Sequence, residues 1–253
     1  DLSEPKGLAD LLQGVLSIVG FSRLRISSIE PWDFDPKLLK FWQDSRMCRH
    51  LHIPLQSGSD RILKAMGRPI TVKSLQGLIT AIRDRIPEIA ITTDVIVGFP
   101  GESQEDFDTT AGLIQSIGFA GGHVFTYSPR PGTAAFKMKD QVPIQIAKER
   151  NAILRNSFSE TGQQYRKGFL NRTMDVLWES GCQDDDGEWQ LSGLTDNYIR
   201  VYSESATDLW NQITPVFLQA HHPRRKALIG RLTDTDEDNG SDRVFKPMRT
   251  RLP

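Results

Sequence analysis

The chain has 253 residues, of which 38% are hydrophobic and 25% are charged, and its formal net charge is −1. These values are typical of a folded globular protein and exclude a collagen-like or globally disordered chain. The near-zero net charge gives no overall attraction to nucleic acid, so any such binding has to come from a local patch.

Three features of the sequence bear on where the protein works. No apolar run approaches the ~18 residues of a membrane helix, and we predict no membrane partner. The two cysteines, Cys48 and Cys182, cannot form a disulfide framework and are typical of a reducing compartment, so we expect a cytoplasmic protein. The sequence opens without methionine, and we expect it to be part of a longer protein.

Residues 1–142 alternate predicted helices with predicted strands. In chain order we predict helices over 8–19, 36–44, 60–66, 71–85 and 104–117, and strands over 24–29, 50–56, 89–97 and 122–127. Strands separated by helices of this length form a parallel sheet. The pattern therefore predicts a partial α/β barrel or an open doubly wound sheet, with a ligand site at the carboxyl ends of its strands.

The second half of the chain has a different pattern. A helix predicted over 144–168 is followed by short strands, predicted over 174–178, 189–191, 198–202, 213–218 and 227–232. Short strands at this spacing predict a small antiparallel β-barrel. We therefore divide the chain into an α/β domain (1–142), a connecting helix (143–170), a barrel (171–232) and a disordered tail (233–253).

The most metal-like residues lie on a predicted strand. Cys48, His50 and His52 alternate along it and so share one face, and Cys with His is a common metal-binding set. A fourth ligand is not evident, and the number of ligands is the first test of such a site. We predict that both histidines are hydrogen-bonded structural residues, and we assign no metal ligand and no catalytic residue.

Two predicted strand ends carry the first candidate binding residues. Gln56 and Ser57 lie between a strand and a helix, where a ligand-binding loop and an ordinary turn have the same residue types. Asp94 is a carboxylate within a buried β-branched run, so it needs a partner and is a functional candidate. Gly98, at the end of the same run, lacks a side chain at a point where a ligand could pack against the backbone.

Further candidates lie in the loop after the last sheet strand and in the barrel. Tyr127 and Arg130 belong to a proline-rich loop, which forms either a rigid surface or part of a pocket. The barrel candidates, which combine aromatic and cationic groups of the kind that bind RNA, are Tyr198, Arg200, Tyr202, Arg224 and Arg225. The exposed side of the connecting helix is predicted to add Lys148, Arg150, Arg155, Arg166 and Lys167. The predicted barrel has six basic and nine acidic residues, so composition alone leaves RNA binding open.

Six segments, in order along the chain, resemble the radical S-adenosylmethionine (SAM) methylthiotransferases. They are RISSIEP (25–31), HLHIPLQSGSD (50–60), LKAMGR (63–68), TDVIVGFPGE (93–102), FTYSPRPGTA (125–134) and GLTDNYIRV (193–201). The resemblance implies a partial (β/α) radical SAM barrel that lacks its first strands, followed by the small RNA-binding β-barrel called the TRAM domain.

The resemblance also implies the cofactors, the partners and the site. A longer parent protein would use SAM, two 4Fe-4S clusters and a reductant protein to methylthiolate adenine C2 beside the anticodon of tRNA. The residues placed near SAM are Glu30, Gln56, Ser57, Arg68, Asp94 and Gly98. Those placed near the tRNA substrate are Tyr127, Arg130, Tyr198, Arg200, Arg224 and Arg225.

Within the family, residues 27–31 and 195–201 resemble the MtaB type, which modifies N6-threonylcarbamoyladenosine. The alternatives are the MiaB type, which modifies isopentenyladenosine, an RNA-binding module without catalysis, and an ordinary α/β-barrel isomerase or lyase. The sequence departs from the family in three features that the resemblance leads one to expect and that the 253 residues lack. These are the family's three-cysteine cluster motif, its first two barrel strands and its N-terminal cluster domain. We therefore expect this chain alone to be inactive.

Overall fold

The computed structural model of the protein describes residues 7–233. Apart from Thr233, the predicted disordered tail lies outside the described residues. The α/β domain contains α1 (Leu8–Leu16), 3₁₀ helices (Pro31–Asp33 and Pro36–Gln43), β1 (His50–His52), α2 (Asp60–Ala65), α3 (Val72–Arg85), β2 (Ala90–Val97), α4 (Gln104–Ile117) and β3 (Gly121–Thr126). Its strands are parallel and lie in the order β1-β2-β3, as the alternating pattern predicts.

The central strand β2 separates two different faces of the sheet. Ile91, Val95 and Val97 are at most 1% exposed and belong to the hydrophobic core of the α/β domain. Thr92 and Asp94 alternate with them and lie on the other, less buried face. The predicted run over 89–97 therefore has one face in the core and leaves polar side chains on the other.

The prediction of a regular strand over residues 24–29 is wrong. The segment is extended but makes only two isolated parallel bridges, Leu24 with Met47 and Ser28 with His52. The register shifts by one residue between these bridges, which interrupts the hydrogen-bond ladder. Within the described part of the chain, the sheet therefore has three regular strands, and this segment lies irregularly along its edge.

The strand predicted over residues 50–56 is also shorter than expected. It ends at His52 because Pro54 has no N–H to donate and Gln56 adopts a positive φ of 63°. Helices α2 and α4 begin where the sequence predicts: Ser59 caps α2, and Ser103 with Asp106 forms a capping box at the start of α4.

Helix α5 (Ile144–Lys167) leads into the second unit. This unit comprises β4 (Thr173–Gln183), β5 (Trp189–Thr195), β6 (Arg200–Ser205), β7 (Ile213–His221) and β8 (Leu228–Leu232), closed in the order β4-β5-β6-β8-β7 around Trp178 and Val176. The prediction of a purely antiparallel barrel is wrong at one pair, because β6 and β8 are parallel neighbours. Within the described residues, no helix has the length and apolarity to cross a membrane.

Charged side chains join the barrel to the α/β domain. Arg49 contacts Asp196 of the barrel, with its Nε 2.6 Å from Oδ2, and its Nη1 lies 3.0 Å from Oε2 of Glu88. Arg172 contacts the same Glu88 from the barrel side. Arg23 donates to the carbonyl oxygen of Leu194 at 2.6 Å. These contacts connect the first barrel strands to the edge of the sheet next to β1.

Candidate functional site

A polar row crosses the less buried face of the sheet. His50 Nε2 and His52 Nδ1 hydrogen-bond with Thr92 Oγ1 at 3.1 and 3.0 Å, and His52 Nε2 lies 3.3 Å from Asp94 Oδ2. These bonds confirm that both histidines are hydrogen-bonded, as predicted. They also give Asp94 a partner for one of its carboxylate oxygens.

His50 should make the protein less stable in mild acid. Burial, followed by the positive charges of Arg25 and His52, lowers its pKa to about 4. Because the unfolded side chain titrates near 6.5, the unfolded state binds more protons between pH 6.5 and pH 4. This term should lower the free energy of unfolding by about 2 kcal/mol between pH 7 and pH 4.5.

Urea unfolding at pH 7 and pH 4.5 measures this term. The change with pH should shrink by about 2 kcal/mol in His50→Gln. The matched control is His123→Gln, since His123 is exposed on β3. An equal pH dependence in His50→Gln and the wild type would contradict the assignment.

Gln56 lies in a tight turn against β2. Its backbone N–H donates to the carbonyl of Asp94 at 2.8 Å, and its carbonyl accepts from Ile96 at 2.9 Å. Its side-chain Oε1 is buried without a partner. Ser57 Oγ instead accepts from the Ser59 backbone at 3.2 Å, so this hydroxyl contributes to the turn.

Arg68 lies between Glu30 and the loop before Gln56. It forms an ion pair with Glu30, and its Cζ lies 4.6 Å from the centre of the Trp32 ring. Its Nη2 also contacts the carbonyl oxygen of Pro54 at 3.4 Å, while its Nε is buried without a partner. The structure therefore links the predicted residues Glu30 and Arg68 directly and places them beside the Gln56 turn.

Gly98 and Tyr127 line a common cavity of about 340 Å³, together with Phe136. The Tyr127 hydroxyl is buried without a hydrogen-bond partner, and its ring packs edge-on against Phe99 at 5.4 Å. Arg130 is exposed and does not line this cavity. The cavity brings two of the predicted residues together but leaves the third outside.

The sequence reasoning missed an ion pair beneath this cavity. The Glu102 carboxylate accepts from the Gly98 N–H at 3.1 Å and from Arg150 Nη1 at 2.5 Å. Both side chains are buried, and burial raises the pKa of Glu102. The prediction that Arg150 lies on the exposed side of α5 is therefore wrong, because Glu102 holds it inside.

Four of the predicted site residues have incompletely bonded side chains. Among the described residues, eight buried side-chain atoms lack a hydrogen-bond partner, and half of them are Gln56 Oε1, Arg68 Nε, Asp94 Oδ1 and Tyr127 Oη. Leaving such an atom unpaired costs roughly 1–3 kcal/mol. Two of these atoms accept and two can donate, which are the two kinds of group that a polar ligand such as SAM also carries. Of the four residues, Tyr127 alone lines the cavity of about 340 Å³, so the structure does not show them around one common pocket.

The side chains of this chain do not match the needs of an iron–sulfur cluster. Cys48 is buried in the α/β domain and Cys182 is exposed on the barrel. Within residues 7–233, no group of three or more Cys, His, Asp or Glu residues could hold a metal ion. The cysteines of this chain therefore do not fit a cluster site, and we assign no step to one.

Tyr198, Arg200 and Tyr202 alternate with the buried residues Ile199 and Val201 and so lie on the outer side of the barrel, but each has a different partner. Tyr198 precedes β6 with a positive φ of 67°, which turns its ring onto His50 at a centroid distance of 4.3 Å. Arg200 pairs with Glu179 at 2.7 Å. The hydroxyl of Tyr202 instead accepts from Arg225 at 2.7 Å.

A basic turn, which carries Arg224, Arg225 and Lys226, connects two strands of the barrel. It follows β7 at His221 and precedes β8 at Leu228. Within it, the backbone N–H groups of Arg224 and Arg225 each donate to His222 Nδ1 at 3.1 Å. Both arginine side chains are exposed on this turn.

The comparisons with known proteins agree with this architecture. Residues 7–114 match the family model of the Radical SAM superfamily. The predicted fold class is therefore confirmed as an α/β domain with a parallel sheet, whose sequence matches this family model, followed by a small closed barrel.

The curated relatives are tRNA-modifying enzymes. The chain is 38% identical over 187 residues to the tRNA-2-methylthio-N(6)-dimethylallyladenosine synthase of Acetivibrio thermocellus, a match that covers 74% of this chain and 39% of the relative. It is 39% identical over 210 residues to the synthase of the same name from Staphylococcus aureus strain Newman, a match that covers 83% of this chain and 40% of the relative. The chain thus spans about two fifths of the length of these relatives.

Solved structures give weaker matches. Coproporphyrinogen III oxidase of Escherichia coli, a radical SAM enzyme, aligns with a TM-score of 0.49 at 17% identity and covers 73% of this chain and 50% of its own. The Elp3 protein of Methanocaldococcus infernus aligns with a TM-score of 0.43 at 11% identity, and the alignment covers 83% of this chain and 65% of the Elp3 chain.

Proposed function

We propose that this chain is part of a radical SAM tRNA methylthiotransferase and contributes part of its SAM site and its RNA-binding barrel. The observation that carries the proposal is the identity of 38–39% to tRNA methylthio-modifying synthases, in matches that cover 74–83% of this chain. The unpaired atoms of Gln56, Arg68, Asp94 and Tyr127 support it, because four resemblance-assigned residues carry buried polar groups that a ligand would satisfy.

SAM supplies the methyl group and a cleavable sulfonium when it is bound. In the proposed site, Gln56 Oε1 and Asp94 Oδ1 accept from SAM and Arg68 Nε donates to it, while Tyr127 Oη is left to donate to the tRNA substrate, near which the resemblance places it. The Glu102–Arg150 pair lies outside this contact set and fixes the turn at Gly98. Gln56, Arg68 and Asp94 bind and orient SAM, and the proposal assigns them no proton transfer.

The substrate we propose is N6-threonylcarbamoyladenosine next to the anticodon of tRNA. Residues 27–31 and 195–201 favour it through their resemblance to the branch that modifies this nucleoside. A second candidate, N6-dimethylallyladenosine, is favoured by the names of the curated relatives. The proposal extends to a protein reductant, to RNA binding by the barrel and to a cytoplasmic location.

Nucleoside analysis separates the two candidates. The complete protein is expressed in a bacterial strain lacking its own methylthiotransferases, and its tRNA is digested and analysed by mass spectrometry. We expect the 2-methylthio form of N6-threonylcarbamoyladenosine. The 2-methylthio form of the dimethylallyl nucleoside alone would establish the second candidate, and the absence of both would contradict the proposal.

The 253-residue chain by itself should not cleave SAM. Its two cysteines are too few for the three cluster ligands that the resemblance implies, and they lie in different units of the fold. After anaerobic incubation with iron and sulfide, we expect no 5′-deoxyadenosine in chromatography, while the complete protein produces it. Turnover by the 253-residue chain would contradict this expectation.

A further inference from the structure

A second cavity, of about 190 Å³, lies where the barrel meets the α/β domain. Tyr165 and Arg166 of α5 form one wall, and Asn197 and Tyr198, from the turn before β6, form another. Lys226, from the turn between β7 and β8, closes the side next to the barrel. None of these five residues contributes to the cavity beside Gly98 and Tyr127.

Arg166 has no counter-ion at this cavity. Its Nε is buried without a hydrogen-bond partner, and its guanidinium forms no ion pair with any described residue. Burial alone lowers its pKa, and no carboxylate opposes that effect. A half-buried guanidinium without an acidic partner is costly unless an anion completes the site.

The surroundings add positive charge and an unused donor. The pKa of His221 is lowered, mainly by burial and in addition by the nearby positive charges of Arg166 and Lys167. Asn197 is fully buried, and its Oδ1 accepts from Thr195 Oγ1 at 2.6 Å, while its Nδ2 makes no hydrogen bond of good geometry although the side chain lies next to the Tyr165 hydroxyl. The cavity therefore presents a guanidinium, an amide donor and the ammonium of Lys226, which is a donor set without an acceptor of matching charge.

We propose that this cavity binds a backbone phosphate of RNA, with Arg166 as its central cation. The cavity is smaller than the ~300 Å³ at the lower end for drug-sized ligands, a size that suits a phosphate group better than a complete cofactor. Guanidinium groups bind phosphate oxygens through paired, charge-assisted hydrogen bonds. The inference rests on the proposed function in one respect, namely that the protein acts on tRNA.

The position between the two units gives such a contact a purpose. A phosphate bound here would touch α5, the turn before β6 and the basic turn at the same time, so it would fix how RNA crosses from the barrel towards the sheet. Backbone contacts of this kind set the register of a nucleic acid without reading its bases. Losing the contact should therefore weaken binding to all tRNA sequences alike.

The test is binding of unmodified tRNA to the complete protein over a range of salt concentrations. We expect Arg166→Gln to weaken tRNA binding about tenfold. The fall of log K with log salt should also become shallower by roughly 1 unit of slope, as for one lost phosphate contact. The matched control is Arg85→Gln, because Arg85 is exposed at the end of α3 and this change removes the same charge. Lys226→Gln, at an exposed position that leaves the core intact, should also weaken binding.

The outcomes separate this inference from the proposed function. If the wild-type protein binds tRNA and Arg166→Gln binds it as tightly as Arg85→Gln does, the phosphate site is overturned while the function stands. If the wild type does not bind tRNA, both fail. If inorganic phosphate at millimolar concentration protects the wild type against heat, and tRNA affinity is the same in all variants, the cavity binds free phosphate and the RNA assignment is overturned.

Discussion

Replacing Arg150 by methionine is expected to lower the free energy of unfolding by about 3–5 kcal/mol, the range for breaking a buried ion pair. The change leaves the Glu102 carboxylate, with 5% of its side chain exposed, without its cation. The remaining donor is the Gly98 N–H at 3.1 Å. Urea unfolding at pH 7 measures the loss.

Two variants test whether the stranded charge is the cause. Glu102→Gln in the Arg150→Met background should recover most of the loss, because it removes that charge and keeps an acceptor for Gly98. Arg61→Met should cost less than ~1 kcal/mol, since Arg61 is 59% exposed in its pair with Asp106. Equal losses for Arg61→Met and Arg150→Met would contradict this account.

The pH dependence gives a further check on the same variant. Burial already raises the pKa of Glu102, and loss of Arg150 should raise it more. When the pKa of a carboxyl is higher in the folded than in the unfolded protein, the free energy of unfolding falls as the pH rises from the unfolded pKa through the folded one. The deficit of Arg150→Met should therefore be smaller at pH 5 than at pH 7, and a larger deficit at pH 5 would contradict the assignment.

Replacing Gly98 by alanine is expected to lower the free energy of unfolding by about 3 kcal/mol, the sum of a positive-φ penalty and a steric clash. Gly98 has a φ of 73°, and a Cβ built there would lie 2.5 Å from the Cβ of Ala147 on α5. The close neighbour of Gly98 is thus a helix, whereas its sequence context suggested a ligand. Thermal or urea unfolding measures the loss.

Gly101→Ala is the matched control for the backbone term. Gly101 has a φ of 81°, but a Cβ built there would meet nothing closer than Arg61 Nη1 at 3.8 Å. It should cost about 1 kcal/mol. In a double-mutant cycle, Ala147→Gly should relieve the additional loss of Gly98→Ala. Equal losses at both glycines would contradict the clash.

The fold was largely predictable because its signals are local. Alternating strand and helix patterns indicated the parallel sheet, and the helix predicted over 104–117 has the bounds of α4. The error over residues 24–29 arose because a one-residue register shift against 47–52 leaves no trace in the segment's own pattern. The parallel pairing of β6 with β8 was equally hidden, since it depends on how the barrel closes.

The candidate site was predictable where residues lie in one motif and unpredictable where they pair across the chain. The resemblance identified Gln56 and Asp94, and the structure joins them through a backbone hydrogen bond of 2.8 Å. Glu102 and Arg150 are 48 positions apart, and helical spacing assigned Arg150 to the exposed side of α5. Only tertiary packing shows that this arginine points inward.

The most direct test of the central claim is the affinity of the complete protein, with its clusters assembled, for SAM. Isothermal titration should show that Asp94→Asn and Gln56→Leu each raise the dissociation constant at least tenfold, about 1.4 kcal/mol. The control Asp108→Asn, at an exposed position on α4, should leave it unchanged. Wild-type affinity in both site variants would show that the buried polar atoms at the strand ends do not serve SAM.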